Sequence, residues 1–234
     1  MLLPPIRQSG TLIRRYKRFL ADIKLEDDTP LTVHCPNSGS MRGCSEPGSP
    51  VIISRSDNAK RKYAWTLEMV QVRGIWVGVN TARTNTIVHE ALEQGIIDEW
   101  GHIFSIRPEV RVSDKSRLDF QIESEAGRVF LEVKNCSLAE RNVAMFPDAV
   151  TKRGARHLEE LAKLAETGDR AAVLFCVQRA DADAFTAAAH IDPHYAQTLA
   201  KAQSRGVEVL AYQARVSPDE IRLARKIPLI PDSR

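Results

Sequence analysis

The chain has 234 residues, of which 43% are hydrophobic and 27% are charged, and its formal net charge is +3. This size suits one large domain or two small ones with a packed core. No apolar run approaches the roughly 20 residues of a membrane-spanning helix, and the N-terminus lacks the apolar stretch of a secretory signal. The four cysteines, at positions 35, 44, 136 and 176, lack the spacing of a disulfide framework. We therefore expect a cytoplasmic protein without a membrane partner.

The N-terminal third contains several short apolar segments separated by turn-forming residues, with little helical periodicity. Short strands at this spacing are typical of a small barrel of about five strands, of which the OB-fold is the common nucleic-acid-binding example. We place this OB-like domain at residues 1–82. The strands are predicted at residues 11–25, 31–34, 51–53, 65–72 and 75–79, with a loop at 35–44.

Positive charge is concentrated in the same third of the chain. Residues 1–82 contain 12 Lys and Arg against 7 Asp and Glu, whereas residues 83–234 contain 21 against 23. Basic clusters bind phosphate backbones without distinguishing bases, and neighbouring aromatic rings can stack on exposed bases. Short basic runs are also common on ordinary solvated surfaces. The nucleic-acid-binding candidates form two clusters, Arg14, Arg15, Lys17 and Arg18, then Lys60, Arg61 and Lys62.

Residues 83–234 show alternating strand and helix patterns. This order predicts an α/β domain in which helices flank a mixed central sheet. The predicted helices cover residues 85–94, 148–166 and 194–203, and the predicted strands cover 117–122, 129–134, 170–178 and 207–212. The continuous apolar run at 171–177 indicates a buried central strand.

Two alternating segments carry the candidate catalytic residues. Leu118, Phe120 and Ile122 are expected on one face of the first strand and Asp119 on the other. If Ile122 pairs with Val129 across the turn, Asp119 lies opposite Glu132. Directly opposed side chains are roughly 4.5–5.5 Å apart at Cβ. Two carboxylates at that separation repel each other unless a cation lies between them.

We therefore predict a site for Mg²⁺ or Mn²⁺ at Asp119 and Glu132, with Lys134 adding a fixed positive charge. A metal, two acids and a lysine are suited to phosphodiester hydrolysis. Glu90, on the first helix of this domain, is a candidate third metal ligand. Alternatively, Glu132 and Lys134 decorate a solvated strand face and Glu90 is a surface residue, since such spacings also arise by chance.

The first two turns of the helix predicted at 148–166 carry Lys152, Arg153, Arg156 and His157. Positive charge is unfavourable at this end of a helix, because the helix dipole is positive there. Arg153, Arg156 and His157 are therefore further candidates for contacting phosphate. The alternative is a solvated helix face balanced by Glu159 and Glu160.

Several longer strings resemble the sugar fermentation stimulation protein A family across nearly the whole chain. They include residues 34–39 (HCPNSG), 56–63 (SDNAKRKY), 117–120 (RLDF), 132–134 (EVK), 146–154 (FPDAVTKRG) and 206–212 (GVEVLAY). Ser38 and Asn135 stand where that family often has Thr and Ser.

This resemblance implies an OB-like domain at 1–82 and a PD-(D/E)xK nuclease-like domain at 83–234. Asp119, Glu132 and Lys134 would be the metal acids and the lysine of that pattern, with Leu118 in place of its proline. The resemblance also implies DNA binding without sequence preference and, as an alternative to cleavage, a non-catalytic regulator of sugar (maltose) metabolism genes. A carbohydrate-binding module is the least favoured function, because the chain has only three Trp and no aromatic platform pattern.

Overall fold

The computed structural model describes residues 1–113 and 116–231. Its N-terminal part is a six-stranded sheet in the order β3-β2-β1-β4-β5-β6. The strands are β1 (Arg7–Tyr16), β2 (Leu20–Leu25), β3 (Pro30–His34), β4 (Pro50–Arg55), β5 (Trp65–Val72) and β6 (Ile75–Gly78). A parallel pairing of His34 with Thr66 joins β3 to β5 and closes the first five strands into a barrel. This closure, around an apolar core, confirms the predicted OB-like barrel.

The segment predicted as one strand at 11–25 is a hairpin, so that prediction was wrong. β1 and β2 are antiparallel and pair from Gly10 with Leu25 to Tyr16 with Leu20. The turn lies at Lys17 and Arg18, which have positive φ angles of 47° and 65°. The sequence concealed the turn because neither position holds a residue that favours this conformation, such as Gly or Asn.

The C-terminal part is built on a second six-stranded sheet in the order β15-β14-β12-β9-β8-β7. β9, β12 and β14 are mutually parallel, whereas the outer pairs are antiparallel, so the sheet is mixed as predicted. The bounds are β7 (Ile103–Ser113), β8 (Ser116–Ser124), β9 (Gly127–Cys136), β12 (Arg170–Val177), β14 (Glu208–Val216) and β15 (Ile221–Lys226). A small sheet contains β10 (Leu138–Glu140), β11 (Val143–Phe146) and β13 (Ala184–Ala187).

Three α-helices cover the two faces of this sheet within the described residues. The helix α1 (Thr84–Glu93) packs on one face, and α2 (Lys152–Glu166) and α3 (Pro193–Ser204) pack on the other. A short 3-10 turn, Thr81–Arg83, precedes α1. No helix in this part of the chain is long and apolar enough to cross a membrane.

The helix predicted from residue 148 begins later, at Lys152. Thr151 is its N-cap and accepts a hydrogen bond from the backbone N–H of Gly154. The preceding residues form a loop because Asp148 is bound by another part of the chain: its carboxylate accepts the backbone N–H of Met41 at 2.8 Å. The first helical turn therefore contains Lys152 and Arg153.

The two faces of the second sheet bury separate apolar clusters. Phe120 and Ile122 pack on the α1 side, whereas Leu118 packs with Phe130 and Leu158 on the α2 side. The prediction that Leu118 shares a face with Phe120 was therefore wrong. Pairing of β8 with β9 ends at Phe120, so Leu118 lies beyond the paired part of β8.

Two of the contacts that join the barrel to the C-terminal part involve Asp148 and Gln178. Ser40 Oγ donates to the carbonyl of Asp148, next to the Met41 contact. A Cβ atom at Gly39 would lie 2.5 Å from an Asp148 carboxylate oxygen, so glycine permits this approach. At the second contact the backbone N–H of Gly78 donates to the carbonyl of Gln178.

Candidate functional site

The predicted register of the two acid-bearing strands is confirmed. Ile122 pairs with Val129 and Phe120 with Leu131, and the next step of this register sets Asp119 opposite Glu132. At that step the strands separate. The Asp119 carboxylate accepts the backbone N–H of Val133 at 2.7 Å, so a side chain replaces the ladder hydrogen bond. β9 is an interior strand of its sheet, so Glu132 and Lys134 do not lie on a solvent-exposed edge strand.

Asp119 is held by both of its oxygens. Its second oxygen accepts a hydrogen bond from Asn85 of α1 at 2.8 Å. Burial raises the pKa of Asp119 above its ordinary 3.8, and the negative charge of Glu132 raises it further. These effects outweigh the stabilising hydrogen bonds. The Asp119 carboxyl group is therefore easier to protonate than an ordinary aspartate.

Glu132 is only 3% exposed and is held by two cationic or hydrogen-bonding side chains. Its Oε1 atom contacts Lys134 Nζ and His157 Nδ1. Burial favours the neutral acid, but the charge of Lys134 and the hydrogen bond to His157 hold the pKa of Glu132 below its ordinary 4.5. Glu132 is therefore an anion at neutral pH.

His157 acts on Glu132 and is oriented by Arg153. Arg153 Nε donates to His157 Nε2 at 3.3 Å. Because a guanidinium can only donate, Nε2 is the acceptor, and the proton directed at Glu132 lies on Nδ1. His157 is 3% exposed, so it contacts the acid and not solvent. The phosphate contact predicted for His157 stays a prediction, and its partner within the described residues is Glu132.

One oxygen of Glu132 is left without a protein partner. Oε2 is buried and accepts no hydrogen bond from the described residues. A buried anionic oxygen without a partner is costly, and a bound cation would satisfy it. Within residues 1–113 and 116–231, no three His, Cys, Asp or Glu side chains are arranged to hold a metal ion. An ion at Asp119 and Glu132 would need backbone, water or phosphate oxygens to complete its ligands.

These residues lie in a cleft of about 710 Å³ between the barrel and the C-terminal part. The barrel contributes Arg18 and Ser38 to its walls, and α2 contributes Arg153. The cleft thus places positive side chains from two distant segments around the acids. Of the predicted nucleic-acid-binding residues, Arg18, Arg153 and His157 line it.

The other residues of the first basic cluster have different surroundings. Arg14 pairs with Asp22 and lies over the Tyr16 ring. Arg15 donates to the backbone carbonyls of Arg18, Asn37 and Gly39, with a longer contact to Ser40. Arg15 therefore ties the β1–β2 hairpin to the 37–40 loop, which is a structural role. Lys17 is exposed in the turn of this hairpin.

The second basic cluster lies outside the cleft. Lys60 is exposed, and Lys62 lies over the Tyr63 ring. Arg61 donates to Thr66 and to His34 in a separate pocket. Arg156 on α2 is exposed and does not line the cleft.

Glu90 does not join the two acids. Its carboxylate pairs with the N-terminal ammonium of Met1 at 2.5 Å, away from the lining of the cleft. The position that α1 presents to Asp119 is Asn85, five residues earlier. Sequence reasoning missed Asn85 because no local pattern links it to an acid 34 residues later. It also missed Asp148, whose role depends on contacts with the barrel.

Two family models match the chain. The SfsA N-terminal OB domain matches residues 13–79, and the sugar fermentation stimulation protein RE domain matches residues 82–220. A sugar fermentation stimulation protein homolog from Pelobacter propionicus is 53% identical over 230 residues, covering 98% of this chain and 100% of the relative. One from Desulfotalea psychrophila is 52% identical over 219 residues, covering 94% and 90%.

A solved structure is similar over nearly the full length. SfsA from Pyrococcus furiosus in complex with Ca²⁺ superposes with a TM-score of 0.89 and 27% sequence identity, covering 98% of each chain. Its likeness agrees with the barrel and mixed sheet described above. The two family models and the relatives at about half identity establish the same relationship. The chain belongs to the sugar fermentation stimulation protein (SfsA) family.

Proposed function

We propose that this protein binds DNA without sequence preference and hydrolyses its phosphodiester bonds with Mg²⁺ or Mn²⁺ held at Asp119 and Glu132. The observation that carries this proposal is the buried Oε2 atom of Glu132, which has no hydrogen-bond partner among the described residues. A second carboxylate, that of Asp119, has its pKa raised by the charge of Glu132. Carboxylate oxygens are the ligands that Mg²⁺ and Mn²⁺ prefer.

A backbone oxygen is available to support the same ion. The N–H and C=O of one residue in a strand point to the same side, and the N–H of Val133 points to Asp119. The carbonyl of Val133 therefore also faces the gap where β8 leaves β9. Mg²⁺ is commonly held by one or two carboxylates with water and substrate phosphate completing its shell. The relative from Pyrococcus furiosus, which was solved with Ca²⁺, supports a divalent cation in this family.

A divalent ion bound here would supply Lewis-acid stabilisation of the phosphate and would lower the pKa of a coordinated water. The protein residues have separate roles in this proposal. Asp119 and Glu132 provide anionic oxygens, and Asn85 and His157 fix their orientations. Lys134 carries positive charge beside the acids, where negative charge develops on the phosphate.

DNA is the proposed substrate because the cleft combines cations with an acidic centre. Arg18 and Arg153 line the cleft from opposite domains and can pair with phosphates on either side of the scissile one. Contacts of this kind position the backbone and carry no base information. The proposal therefore includes binding without sequence preference.

A second candidate is a DNA-binding regulator of sugar (maltose) metabolism genes that does not cleave. The favouring observation is the ion pair of Lys134 with Glu132. This pair, together with His157, already satisfies one oxygen of the acid and reduces the negative charge available to a cation. A weakly held ion would leave binding intact and cleavage slow.

Cleavage assays separate the two candidates. Purified protein is incubated with single-stranded and double-stranded DNA, with Mn²⁺, Mg²⁺ or EDTA, beside the Asp119→Ala and Glu132→Ala variants. Glu46→Gln, which changes an exposed acid of the barrel, is the matched control. The nuclease proposal expects metal-dependent products from the wild type and the control, and none from the two site variants. DNA retention without products in every metal condition would leave the regulator.

A further inference from the structure

A second cavity, of about 440 Å³, opens on the barrel and is distinct from the cleft. We call it the barrel pocket and define it by Arg55, Arg61, Arg83 and His34, which all line it. Three arginines line this one concavity, and their positive charges would repel each other unless something offsets them. The contacts of Arg61 and Arg83 show how much of this charge the protein itself neutralises.

Arg61 is fixed in place by two hydrogen bonds. It donates to Thr66 Oγ1 at 3.1 Å and to His34 Nδ1 at 2.8 Å. Because arginine only donates, His34 Nδ1 is the acceptor and the ring proton lies on Nε2. Burial, followed by the charge of Arg61, lowers the pKa of His34 below its ordinary 6.5. Neither residue offers a negative charge to the pocket.

Arg83 is held by the one buried acid of this region, Glu68, which is 0% exposed. Arg83 donates to both Glu68 oxygens, at 2.9 and 3.4 Å. Ser54 Oγ and Asn80 Nδ2 also donate to Glu68, at 2.6 and 2.8 Å. The Glu68 carboxylate thus has four donors and no capacity to hold an added cation. It orients Arg83 and neutralises one of the three arginines.

The net charge of the residues that line the barrel pocket is positive. Asp57 is the acid among its lining residues, and it is exposed. The preorganised groups are donors, which favours an anion with several oxygens over a cation or an apolar ligand. Arginine forks match the geometry of phosphate oxygens, and fixing them in advance reduces the entropy lost on binding.

The barrel pocket and the cleft share a wall. Ala82 lines both cavities, Pro36 lines the pocket, and the next residue, Asn37, lines the cleft. This wall is held together by Thr81, whose hydroxyl donates to the carbonyl of Pro36 at 2.6 Å. A chain lying in the cleft can therefore extend over the wall and reach the pocket.

We propose that the barrel pocket binds a phosphoryl group of the nucleic acid whose neighbouring phosphate lies in the cleft. Arg55, Arg61 and Arg83 would pair with its oxygens, and His34 Nε2–H would donate to it. The inference rests on the proposed function for the identity of the ligand as nucleic acid. It makes no use of Asp119, Glu132 or a metal ion.

The test measures binding in EDTA, where no cleavage occurs. Thymidine oligonucleotides labelled at one end, with or without a phosphate on the other, are titrated by fluorescence anisotropy. The variants are Arg55→Gln, Arg61→Gln and the double change. Arg55 is exposed, so its single variant keeps the packing even if loss of Arg61 disturbs His34. Lys24→Gln, an exposed cation of the same barrel, is the matched control.

We expect the double variant to bind at least about tenfold more weakly, since charged hydrogen bonds are lost. Its slope of log K against log salt should fall by about 0.7, the value for one phosphate of a single strand. Loss confined to the phosphorylated oligonucleotide identifies a terminal monoester, whereas equal loss identifies an internal diester. Competition by inorganic phosphate in the wild type alone would identify a free-phosphate source for the same chemistry.

The inference is overturned if Arg55→Gln and the double variant bind both oligonucleotides as tightly as Lys24→Gln, with an unchanged salt slope. Failure of the proposed nuclease activity would look different. In that case no metal ion would produce cleavage, while the loss of binding in EDTA would persist in the pocket variants.

Discussion

The carboxylate of Asp119 accepts the backbone N–H of Val133 at 2.7 Å, and Val133 is the residue between Glu132 and Lys134. Asp119 on β8 is thus fixed by the backbone of β9. The hydrogen bond comes from the segment of β9 that bears Glu132 and Lys134. Displacing β8 or β9 would disturb the placement of all three charged side chains. We therefore expect effects of substitutions here to be far from additive.

Lys134→Met should separate cation binding from cleavage. Lys134 Nζ contacts Glu132 Oε1, so its removal leaves more negative charge for a divalent ion while deleting the charge beside the phosphate. We expect Mn²⁺ affinity to be retained or increased, and cleavage to fall about a hundredfold or more. Calorimetric titration with Mn²⁺ and single-turnover cleavage measure the two effects. If Lys134→Met cleaves DNA at nearly the wild-type rate, Lys134 has no role in cleavage.

Replacement of His157 should weaken the site through Glu132. His157→Ala removes a buried donor to Oε1, and lost support of a metal-binding carboxylate typically costs about 10–100-fold in affinity or activity. His157→Asn, whose amide can donate from a similar position, should recover part of this loss. The comparison uses Mn²⁺ titrations and thermal unfolding of both variants. Equal metal affinity in His157→Ala and the wild type would assign His157 to packing alone.

The stabilising effect of Ca²⁺ should depend on pH through Asp119. Its pKa is raised above 3.8, so its contribution to folding is largest at low pH and declines as pH rises through the raised value. A bound cation offsets that decline. A hundredfold excess of Ca²⁺ over Kd should raise Tm by roughly 5–10 °C at neutral pH. We expect the shift to shrink as acid protonates Asp119, beginning above pH 3.8.

Differential scanning calorimetry with Ca²⁺ or EDTA across this pH range provides the measurement. Asp119→Asn is the informative comparison, because it cannot ionise at this position. A variant that gains the same Tm shift from Ca²⁺ as the wild type would place the cation elsewhere.

Gly39→Ala should destabilise the contact between the barrel and the C-terminal part. The added Cβ would lie 2.5 and 2.7 Å from the two carboxylate oxygens of Asp148. Overpacking of this kind typically costs about 1–3 kcal/mol. Urea unfolding of Gly39→Ala, Asp148→Ala and the double variant forms a double-mutant cycle. The cost of Gly39→Ala should fall in the Asp148→Ala background; purely additive costs would contradict the proposed clash.

The strand pair that holds the acids could be predicted because its evidence is local. Alternation in residues 117–122 and 129–134, joined by a short turn, fixes the register, although it assigned Leu118 to the wrong face. The edge strand β7 was missed. Its pairing with β8 has two irregularities, near Ile103 and Arg111, and it contains Pro108, so its alternation is broken.

Long-range contacts account for the errors within the site. Nothing near Arg15 or His157 in sequence indicates that one binds carbonyls of a distant loop and the other a carboxylate 25 residues away. The assignment to nucleic acid rested on a basic cluster with neighbouring aromatic rings for Arg15, and on positive charge at a helix N-terminus for His157. Glu90 was a candidate metal ligand because it is an acid on the first helix of the domain, but its partner is the N-terminal ammonium.

The contacts that join the barrel to the C-terminal part beside the cleft have a practical consequence for purifying the protein. Met41 and Ser40 bind Asp148, and Gly78 binds Gln178, through short contacts that involve backbone groups. Concentrated salt releases polyanions from arginine and lysine by mass action, but it weakens hydrogen bonds between backbone groups, such as that of Gly78 with the buried Gln178, much less. A wash at high salt should therefore remove co-purifying polynucleotide while the barrel and the C-terminal part stay in contact.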